Sequence, residues 1–485
     1  MLHRRDANIK AVVEYSLVII LLTGGFTLYY WVLTRGSIMP GIDGPYYLIQ
    51  VRSILETGLM IYDDPPLTFY LFALFSEFLG GVYNGVVIGV SVLAALSAIP
   101  IYFFVRKVTG SRLSAIASII FFLYSTYHVR LVADLMKNAV GVLFLAGFIY
   151  YLHDTAFNGY RKRSLILSII FLTLTTLTHI LDLGVAILFL ILYTILIPLF
   201  QRRKRFLKSA GIMWSFLITL LFVGSMVTPF YFTDIGKGIA FAEDLLQPNP
   251  SSQTGSQLPP PREQAPPPGG QALPRRNRSD ILNDRMWWAI PFLIAGAVMS
   301  GKELIEGNKQ KATVLIVATT VGMLLILPFI PQKWLWRFTL MEFIPLSIIF
   351  GLILSRVKKK TIIIILCVFI LTPVGIQAVQ AVDSIPEKSI TEEGYRDLEA
   401  MKSMVPSDSV IVVSNKGVAY WVEYLLRVET ITGLSPSLDT SYENTFIISD
   451  SRIRRSLPPQ TQLIYSGEEM ILGKITDRLP EPSRG

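Results

Sequence analysis

The sequence predicts a polytopic α-helical membrane protein with about 11 transmembrane helices and a small C-terminal α/β domain outside the membrane. Of its 485 residues, 52% are hydrophobic and only 16% are charged, and the mean hydropathy is +0.51. A soluble chain of this length carries far more charge. Many apolar stretches reach the roughly 20 residues that a helix needs to cross a bilayer. After Asp383 the composition turns polar, which indicates a separate domain.

Clusters of basic residues divide the chain into its predicted spans, because such clusters stay on the cytoplasmic side of a membrane. The eleven spans are predicted at about 11–33, 82–105, 113–127, 138–152, 165–178, 183–200, 208–229, 287–301, 313–330, 338–354 and 361–382. The basic start of the chain places the N-terminus in the cytoplasm, and an odd number of spans then places the C-terminal domain outside. The formal charge of +9 is then a topology signal, and no nucleic-acid partner is expected.

Some segments do not fit a simple span. The first outer loop, 34–81, holds two predicted interfacial helices at 46–58 and 67–79. The loop 247–280 is rich in Pro, Gln, Gly and Ser and is predicted to be disordered. The first span is too long for a cleaved signal sequence and is expected to stay in the protein. The lone cysteine, Cys367, is expected to be a packing residue.

The chain is predicted to divide into a transmembrane domain at 1–382 and an outer α/β domain at 383–485. Alternating and clustered apolar residues predict the elements of the outer domain. They are helices at 392–404 and 418–426, and strands at 409–414, 445–449 and 462–465.

Ionisable groups are costly in or near a membrane, so their positions carry information about function. Here they collect at the outer ends of the predicted spans. The candidates are Asp43, Asp63, Asp64, Arg130, Asp134, Lys137, His179, Arg337 and Glu342, together with Tyr46 and Arg52 on the first interfacial helix. The spacing of Arg130, Asp134 and Lys137 predicts that they share one face of a helix.

Each candidate also has a purely structural interpretation. Asp43 precedes Gly44-Pro45 and is equally suited to cap the interfacial helix. Asp63 and Asp64 precede a double proline, where capping of the next helix is the more common role.

The basic candidates have alternatives as well. Arg130 and Asp134 are spaced for an ion pair within a helix. His179 follows several threonines and suits a hydrogen bond between helices. Arg337 follows two tryptophans and suits an anchor in an interfacial aromatic belt.

The arrangement of these residues resembles the C-type (GT-C) integral-membrane glycosyltransferases, such as protein O-mannosyltransferases, aminoarabinose transferases and oligosaccharyltransferase catalytic subunits. The matching features are an acid in the first outer loop, an interfacial helix with tyrosines and Arg52, the run Asp64-Pro65-Pro66-Leu67, a second acid after the third span, and Arg337 before a late span. The resemblance covers about residues 10–380. The chain lacks an Asp-Glu pair at Asp43 and a Trp-Trp-Asp-Tyr-Gly motif, and the second absence argues against the oligosaccharyltransferase subgroup.

The resemblance implies a chemistry. The donor is a hexose or pentose on a polyprenyl phosphate or diphosphate, and the acceptor is a glycan, a lipid or a protein at the outer face of the cell (plasma) membrane. Asp43 is the expected general base, in a reaction that inverts the anomeric carbon. Arg337, Lys137 and Arg130 are the expected partners of the donor phosphate.

The resemblance also implies the surroundings of these groups. Asp134 and Asp64 are candidate ligands of a divalent cation, Mg or Mn, because hard cations prefer carboxylate oxygens. The remaining polar residues are expected to line the pocket; they are Tyr46, Arg52, Asp63, His179 and Glu342.

Two other functions stay open at this stage. A polytopic transporter or lipid flippase typically has ionisable groups near the middle of the membrane and helices that are broken there. Here most charges lie at the outer ends of the spans. A non-catalytic membrane scaffold explains the outer domain but not the acidic first loop.

Overall fold

The structure is a computed structural model. It describes residues 2–36, 38–41, 43–158, 161–201, 204–227, 229–246, 289–327, 330–383, 388–432, 444–450, 457–458 and 460–475. The predicted disordered loop at 247–280 lies outside these residues. The described part contains nineteen helices and five strands.

The helices, numbered here in chain order, form the membrane part and one layer of the outer domain. They are α1 (Leu2–Thr34), α2 (Gly44–Thr57), α3 (Leu67–Leu79), α4 (Val82–Leu96), α5 (Ala98–Thr109), α6 (Arg112–Leu123), α7 (Thr126–Asp134), α8 (Met136–Phe157), α9 (Lys162–Thr176), α10 (Ile180–Gln201), α11 (Lys204–Val227), α12 (Pro229–Leu246), α13 (Ala289–Ile305), α14 (Lys309–Leu325), α15 (Gln332–Thr339), α16 (Phe343–Leu354), α17 (Lys360–Asp383), α18 (Glu392–Met401) and α19 (Lys416–Leu426).

Several helices have the length and composition of membrane spans. Seven pass this test in the described residues, and the pair α6 and α7, bent by 44°, raises the number to eight. The three other predicted spans coincide with α9, α13 and α14, which have 15, 17 and 17 residues. The polytopic helical architecture is therefore confirmed. The count of eleven and the orientation of the termini stay predictions.

The first outer loop folds as the two expected helices, α2 and α3. Pro45 stands in the first turn of α2, where its missing N–H costs nothing. The helix ends at Gly58, whose φ of 80° is a conformation that glycine adopts readily. Gln50 holds the following chain against α2, since its side-chain amide donates to the Tyr62 carbonyl at 2.9 Å and its oxygen accepts from the Ile61 N–H at 2.9 Å.

The outer domain contains the predicted sheet. Its strands are β1 (Ser409–Val413), β2 (Glu429–Thr432), β3 (Asn444–Asp450), β4 (Thr461–Ser466) and β5 (Met470–Ile475), in the order β2-β1-β3-β5-β4. Strand β1 is parallel to β2 and β3, and β5 is antiparallel to β3 and β4. The two predicted helices and three predicted strands are present. Strands β2 and β5 were not predicted.

The outer domain is attached to helix α2 through α19. The Arg52 guanidinium donates to the carbonyls of Tyr424 and Glu423, the second at 3.3 Å, and lies 5.2 Å from the centre of the Tyr424 ring. The Tyr62 hydroxyl donates to the Glu423 carboxylate. These contacts join residues about 360 to 370 positions apart, and they fix the outer domain over the first outer loop.

We expect opposite labelling of two exposed positions if the predicted topology is correct. In a chain whose Cys367 is replaced by alanine, a cysteine at Ser414 in the outer domain should react with an impermeant maleimide added to intact cells. A cysteine at Lys162 should react only after the cells are opened. Both native side chains are exposed, so the substitutions should leave the fold intact. Equal labelling of the two sites in intact cells would contradict the predicted orientation.

Candidate active site

Asp43 directly precedes α2, but its side chain does not cap the helix. Its backbone carbonyl accepts a hydrogen bond from the Tyr47 N–H at 3.2 Å, whereas its carboxylate makes no capping hydrogen bond. The chain is compact at this point. A Cβ atom on Gly44 would lie 2.9 Å from the Met39 Cγ. The capping interpretation therefore does not account for the Asp43 carboxylate.

A cavity of about 620 Å³ lies beside Asp43. Its charged and strongly polar lining residues are Asp43, Lys137, Asn138, His179 and Arg337. Most of the remaining lining is apolar and comes from helices that include α10, α12, α14 and α15. Ligand cavities commonly combine apolar walls with a few placed polar groups. This cavity suits a ligand with a long apolar part and an anionic group.

Lys137 is the first of two cations in the cavity lining. Its ammonium forms an ion pair with Asp64, which also accepts a hydrogen bond from the Tyr46 hydroxyl at 2.6 Å. The Lys137 Nζ lies 5.8 Å from the centre of the Tyr46 ring and 5.6 Å from that of Phe69. These contacts, all partly shielded from water, hold the ammonium near the cavity and leave it able to meet an anion.

Arg337 is the second cation. It lies in the last turn of α15, and its guanidinium carbon is 5.2 Å from the Trp336 ring centre and 6.0 Å from that of Trp334. The indole of Trp334 donates to the Asp244 carboxylate at 2.7 Å, which connects α15 to α12. The arginine therefore lies over an aromatic surface, as an interfacial anchor does, and also borders the cavity.

The groups around Asp43 shift the pKa of its carboxyl in opposite directions. Burial raises the pKa of its carboxyl above the usual 3.8, and the positive charges of Lys137, Lys416 and Arg337 act in the opposite direction. The negative charge of Asp64 adds to the rise in pKa. A carboxylate with a raised pKa is a stronger base than an ordinary surface aspartate.

The prediction that Arg130, Asp134 and Lys137 share one face of one helix is wrong. Helix α7 ends at Asp134, and Leu135 has φ −136° and ψ 62°, so Lys137 begins a new helix, α8. The expected pair of Arg130 and Asp134 is present at 3.6 Å. After this break, Lys137 lines the cavity. Arg130 and Asp134 are not part of the described lining.

The other predicted pocket residues occupy different places. The His179 Nδ1 lies 3.0 Å from the Asn138 amide nitrogen, which agrees with a hydrogen bond between helices, and His179 also lines the cavity. Glu342 is fully buried in the bundle, and its carboxylate oxygens have no hydrogen-bond partner among the described residues. Arg52 contacts the outer domain instead of the cavity, and Asp63 is exposed.

The described residues do not by themselves form the predicted divalent-cation site. Asp64 is engaged by Lys137 and Tyr46, and Asp134 pairs with Arg130. No group of three or more His, Cys, Asp or Glu side chains that could hold a metal ion occurs in the part of the chain that the structure describes. A divalent cation stays a prediction, and the positive charge beside Asp64 comes from Lys137.

The outer domain contributes groups near Asp43 that were not predicted. Lys416, on α19, lowers the pKa of Asp43 through its positive charge. Tyr420, on the same helix, has its ring centre 5.4 Å from that of Tyr46. Tyr47, also missed, lines the cavity and accepts a hydrogen bond from the Lys137 backbone N–H at 3.3 Å. The neighbouring tyrosines at 46 and 47 were a usable signal for Tyr47. No local pattern connects α19 to Asp43.

The first comparison is with a protein family. The family described as dolichyl-phosphate-mannose-protein mannosyltransferase matches residues 63–229. This segment contains Asp64, Lys137 and His179 but neither Asp43 nor Arg337. No curated protein matches the sequence.

Solved structures are similar over nearly the whole chain. The archaeal oligosaccharyltransferase AglB from Archaeoglobus fulgidus, solved with an inhibitory peptide and a dolichol-phosphate, has 12% identity and a TM-score of 0.62, covering 92% of this chain and 70% of that one. A second structure of that organism's oligosaccharyltransferase, with a TM-score of 0.56, contains Zn and sulfate. ArnT from Cupriavidus metallidurans has 10% identity and a TM-score of 0.60, covering 97% of this chain and 98% of that one.

A third protein has the same architecture. The arabinofuranosyltransferase AftD from Mycobacteria has 12% identity and a TM-score of 0.53. The similar region covers 95% of this chain and 40% of the AftD chain. The chain has the GT-C fold. At these identities the likeness shows the fold alone. Within the GT-C fold of this chain, Asp43 and the cavity lie together at the attachment of the outer domain.

Removing the charge of Lys137 should destabilise the protein, because the Asp64 carboxylate would then be buried without its cation. Loss of one partner of a buried ion pair typically costs about 3–5 kcal/mol. We expect Lys137→Met to lower the melting temperature in detergent and the double variant Lys137→Met/Asp64→Asn to recover most of the loss. The exposed Lys162→Met is the matched control. A Lys137→Met protein as stable as this control would show that water reaches Asp64.

Proposed function

We propose that this protein is a membrane glycosyltransferase that moves a hexose or pentose from a polyprenyl phosphate to an acceptor hydroxyl, with Asp43 as the general base. The observation that carries the proposal is the cavity, whose lining combines mostly apolar walls with Asp43, Lys137 and Arg337. An isoprenoid chain suits the apolar walls, and its phosphate suits the two cations.

The reaction is a single displacement. The acceptor oxygen attacks the anomeric carbon as its proton passes to the Asp43 carboxylate. The bond from that carbon to the phosphate oxygen breaks, and its electron pair stays on the phosphate. The new bond forms on the face opposite the leaving group, so the anomeric configuration inverts.

Lys137 and Arg337 stabilise the leaving phosphate. Negative charge builds on its oxygens as the bond breaks, and cations fixed beside the phosphate lower the energy of that state. Lys137 is half-buried, whereas Arg337 is exposed. Lys137 already lies between Asp64 and the cavity. The guanidinium of Arg337 is able to donate two parallel hydrogen bonds to phosphate oxygens, which an ammonium cannot reproduce.

The comparisons support a lipid-phosphate donor without naming the sugar or the acceptor. The archaeal oligosaccharyltransferase of the same fold binds a dolichol-phosphate and an inhibitory peptide, and the matching family is described by mannose transfer from dolichyl phosphate to protein. We assign no step to a divalent cation, because the predicted ligands Asp64 and Asp134 pair with Lys137 and Arg130.

The carboxylate of Asp43 is the first test of this proposal. Asp43→Asn should abolish glycosyl transfer but leave folding and donor binding nearly intact. Loss of a general base typically costs roughly a hundred- to ten-thousand-fold in rate. The measurement is the initial rate of sugar transfer per folded molecule, with Asp63→Asn as the matched control, because Asp63 is an exposed acid in the same outer segment.

Two results separate a base from a structural acid. If Asp43→Asn lowers the melting temperature strongly while the rate per folded molecule stays at the wild-type value, the residue is structural and the base lies elsewhere. An equal loss of rate in Asp63→Asn would show that the outer segment as a whole, and not the Asp43 carboxylate, is required.

Arg337 provides an independent test, because its two interpretations predict different results. As a phosphate ligand, Arg337→Lys should weaken donor use strongly and Arg337→Ala more so, with little change in the KM of the acceptor. As an interfacial anchor, lysine should be nearly neutral, since both side chains reach the membrane surface. Donor titrations of the wild type and both variants, with the exposed Arg163→Lys as the control, decide between them. Wild-type donor affinity in Arg337→Lys would remove Arg337 from the site.

A further inference from the structure

One helix of the outer domain reaches the segment that carries the proposed base. From α19, the Tyr420 ring centre lies 5.4 Å from that of Tyr46 and 6.2 Å from that of Tyr62. Tyr46 is three residues after Asp43, so the two lie about one helical turn apart. The contact therefore brings α19 against the first turn of α2, which follows the acid directly.

Lys416 occupies the first position of α19. The helix start is fixed by Asn415, whose side-chain oxygen accepts from the Val418 N–H at 3.0 Å. The Lys416 ammonium donates to the Tyr420 hydroxyl and lies 5.3 Å from the centre of its ring. Lys416 and Asp43 attract one another, and each favours the charged form of the other. The lysine is thus held near the acid by a neighbour on its own helix.

The attachment of α19 does not depend on Tyr420 alone. Arg52 donates to two carbonyls near the end of α19, and Tyr62 donates to the Glu423 carboxylate. Hydrogen bonds to backbone carbonyls fix a helix in position and rotation, because these acceptors cannot move separately from it. Lys416, about two turns earlier, therefore has a defined place relative to Asp43.

We propose that Lys416, held on Tyr420 in the outer domain, is a positioning residue that supplies a positive charge to the Asp43 carboxylate. The proposal rests on the proposed role of Asp43 as the base. Lys416 is not part of the described cavity lining, which includes Lys137 and Arg337. It therefore acts on the carboxylate from the outer domain, whereas the two cations proposed to bind the donor phosphate lie on other helices.

The charged groups that face Asp43 come from four elements. They are Lys137 on α8, Arg337 on α15, Lys416 on α19, and Asp64 in the segment before α3. Removing Lys416 leaves two cations and one acid facing Asp43, so the ionised form of the Asp43 carboxyl becomes less stable and its pKa rises. A nearby unit charge at a partly exposed site shifts such an equilibrium by about half to one pKa unit, which is about three- to tenfold.

The direct test measures the protonation of Asp43 without needing the reaction. Dicyclohexylcarbodiimide modifies protonated carboxyl groups, and mass spectrometry of the peptide with Asp43 gives the modified fraction at each pH. We expect the labelling curve of Lys416→Met to lie at higher pH than the wild-type curve, by about half to one unit. Lys416→Arg should restore the wild-type curve. The matched control is Lys402→Met, an exposed lysine of the same domain.

A second measurement uses the reaction. In the pH profile of kcat/KM, Lys416→Met should shift the acidic limb to higher pH by the same amount. The value of kcat/KM on the plateau should stay nearly unchanged. A merely structural lysine would lower the melting temperature and reduce kcat/KM equally at all pH values. If Lys416→Met does not fold, Tyr420→Phe removes the hydroxyl that holds the ammonium and should shift the labelling curve in the same direction.

The outcomes are distinct. Coincident labelling curves for the wild type and Lys416→Met would overturn the role of Lys416, whatever the activity. A shifted labelling curve in a protein that transfers no sugar would support the charge contact and contradict the proposed function instead.

Discussion

Helix α2 is held from two sides, and the position of Asp43 depends on this double attachment. On the bundle side, the Tyr47 hydroxyl accepts from the Lys137 N–H at 3.3 Å, and on the other side Arg52 donates to carbonyls of the outer domain. The acid therefore has a defined place without a capping bond of its own. Its charge is controlled by the same neighbours, because burial disfavours the carboxylate and the surrounding cations favour it.

Much of this site was predictable because a membrane restricts where charge can lie. Lipid penalises ionisable groups inside the spans, so the few at the outer ends stood out from the sequence. Four of them, Asp43, Lys137, His179 and Arg337, line one cavity in the structure. The interfacial helices were predictable for the same reason, since they are too polar or too short to span. The outer-domain strands β1, β3 and β4 followed from their apolar runs.

The rest depends on contacts that local sequence does not encode. The helix break at Leu135 involves no proline or glycine, so the spacing of Arg130 and Lys137 indicated one helix where there are two. Strand β2 has only four residues, and Gly473 and Lys474 interrupt the apolar run of β5, so neither has a strand pattern of its own. Lys416 looks like an ordinary first-turn lysine, and its relation to Asp43 arises only when α19 packs on α2.

The central claim is that a sugar leaves its lipid phosphate at this cavity, and cleavage of the donor tests it most directly. Purified protein in liposomes would receive polyprenyl-phosphate hexoses and pentoses with tritium in the sugar, and a membrane extract as the source of acceptors. The account predicts that tritium moves from the polyprenyl phosphate to an acceptor molecule and that one polyprenyl phosphate is released for each sugar transferred, with inversion at the anomeric carbon. A labelled lipid that crosses the bilayer uncleaved would contradict the account and identify a flippase.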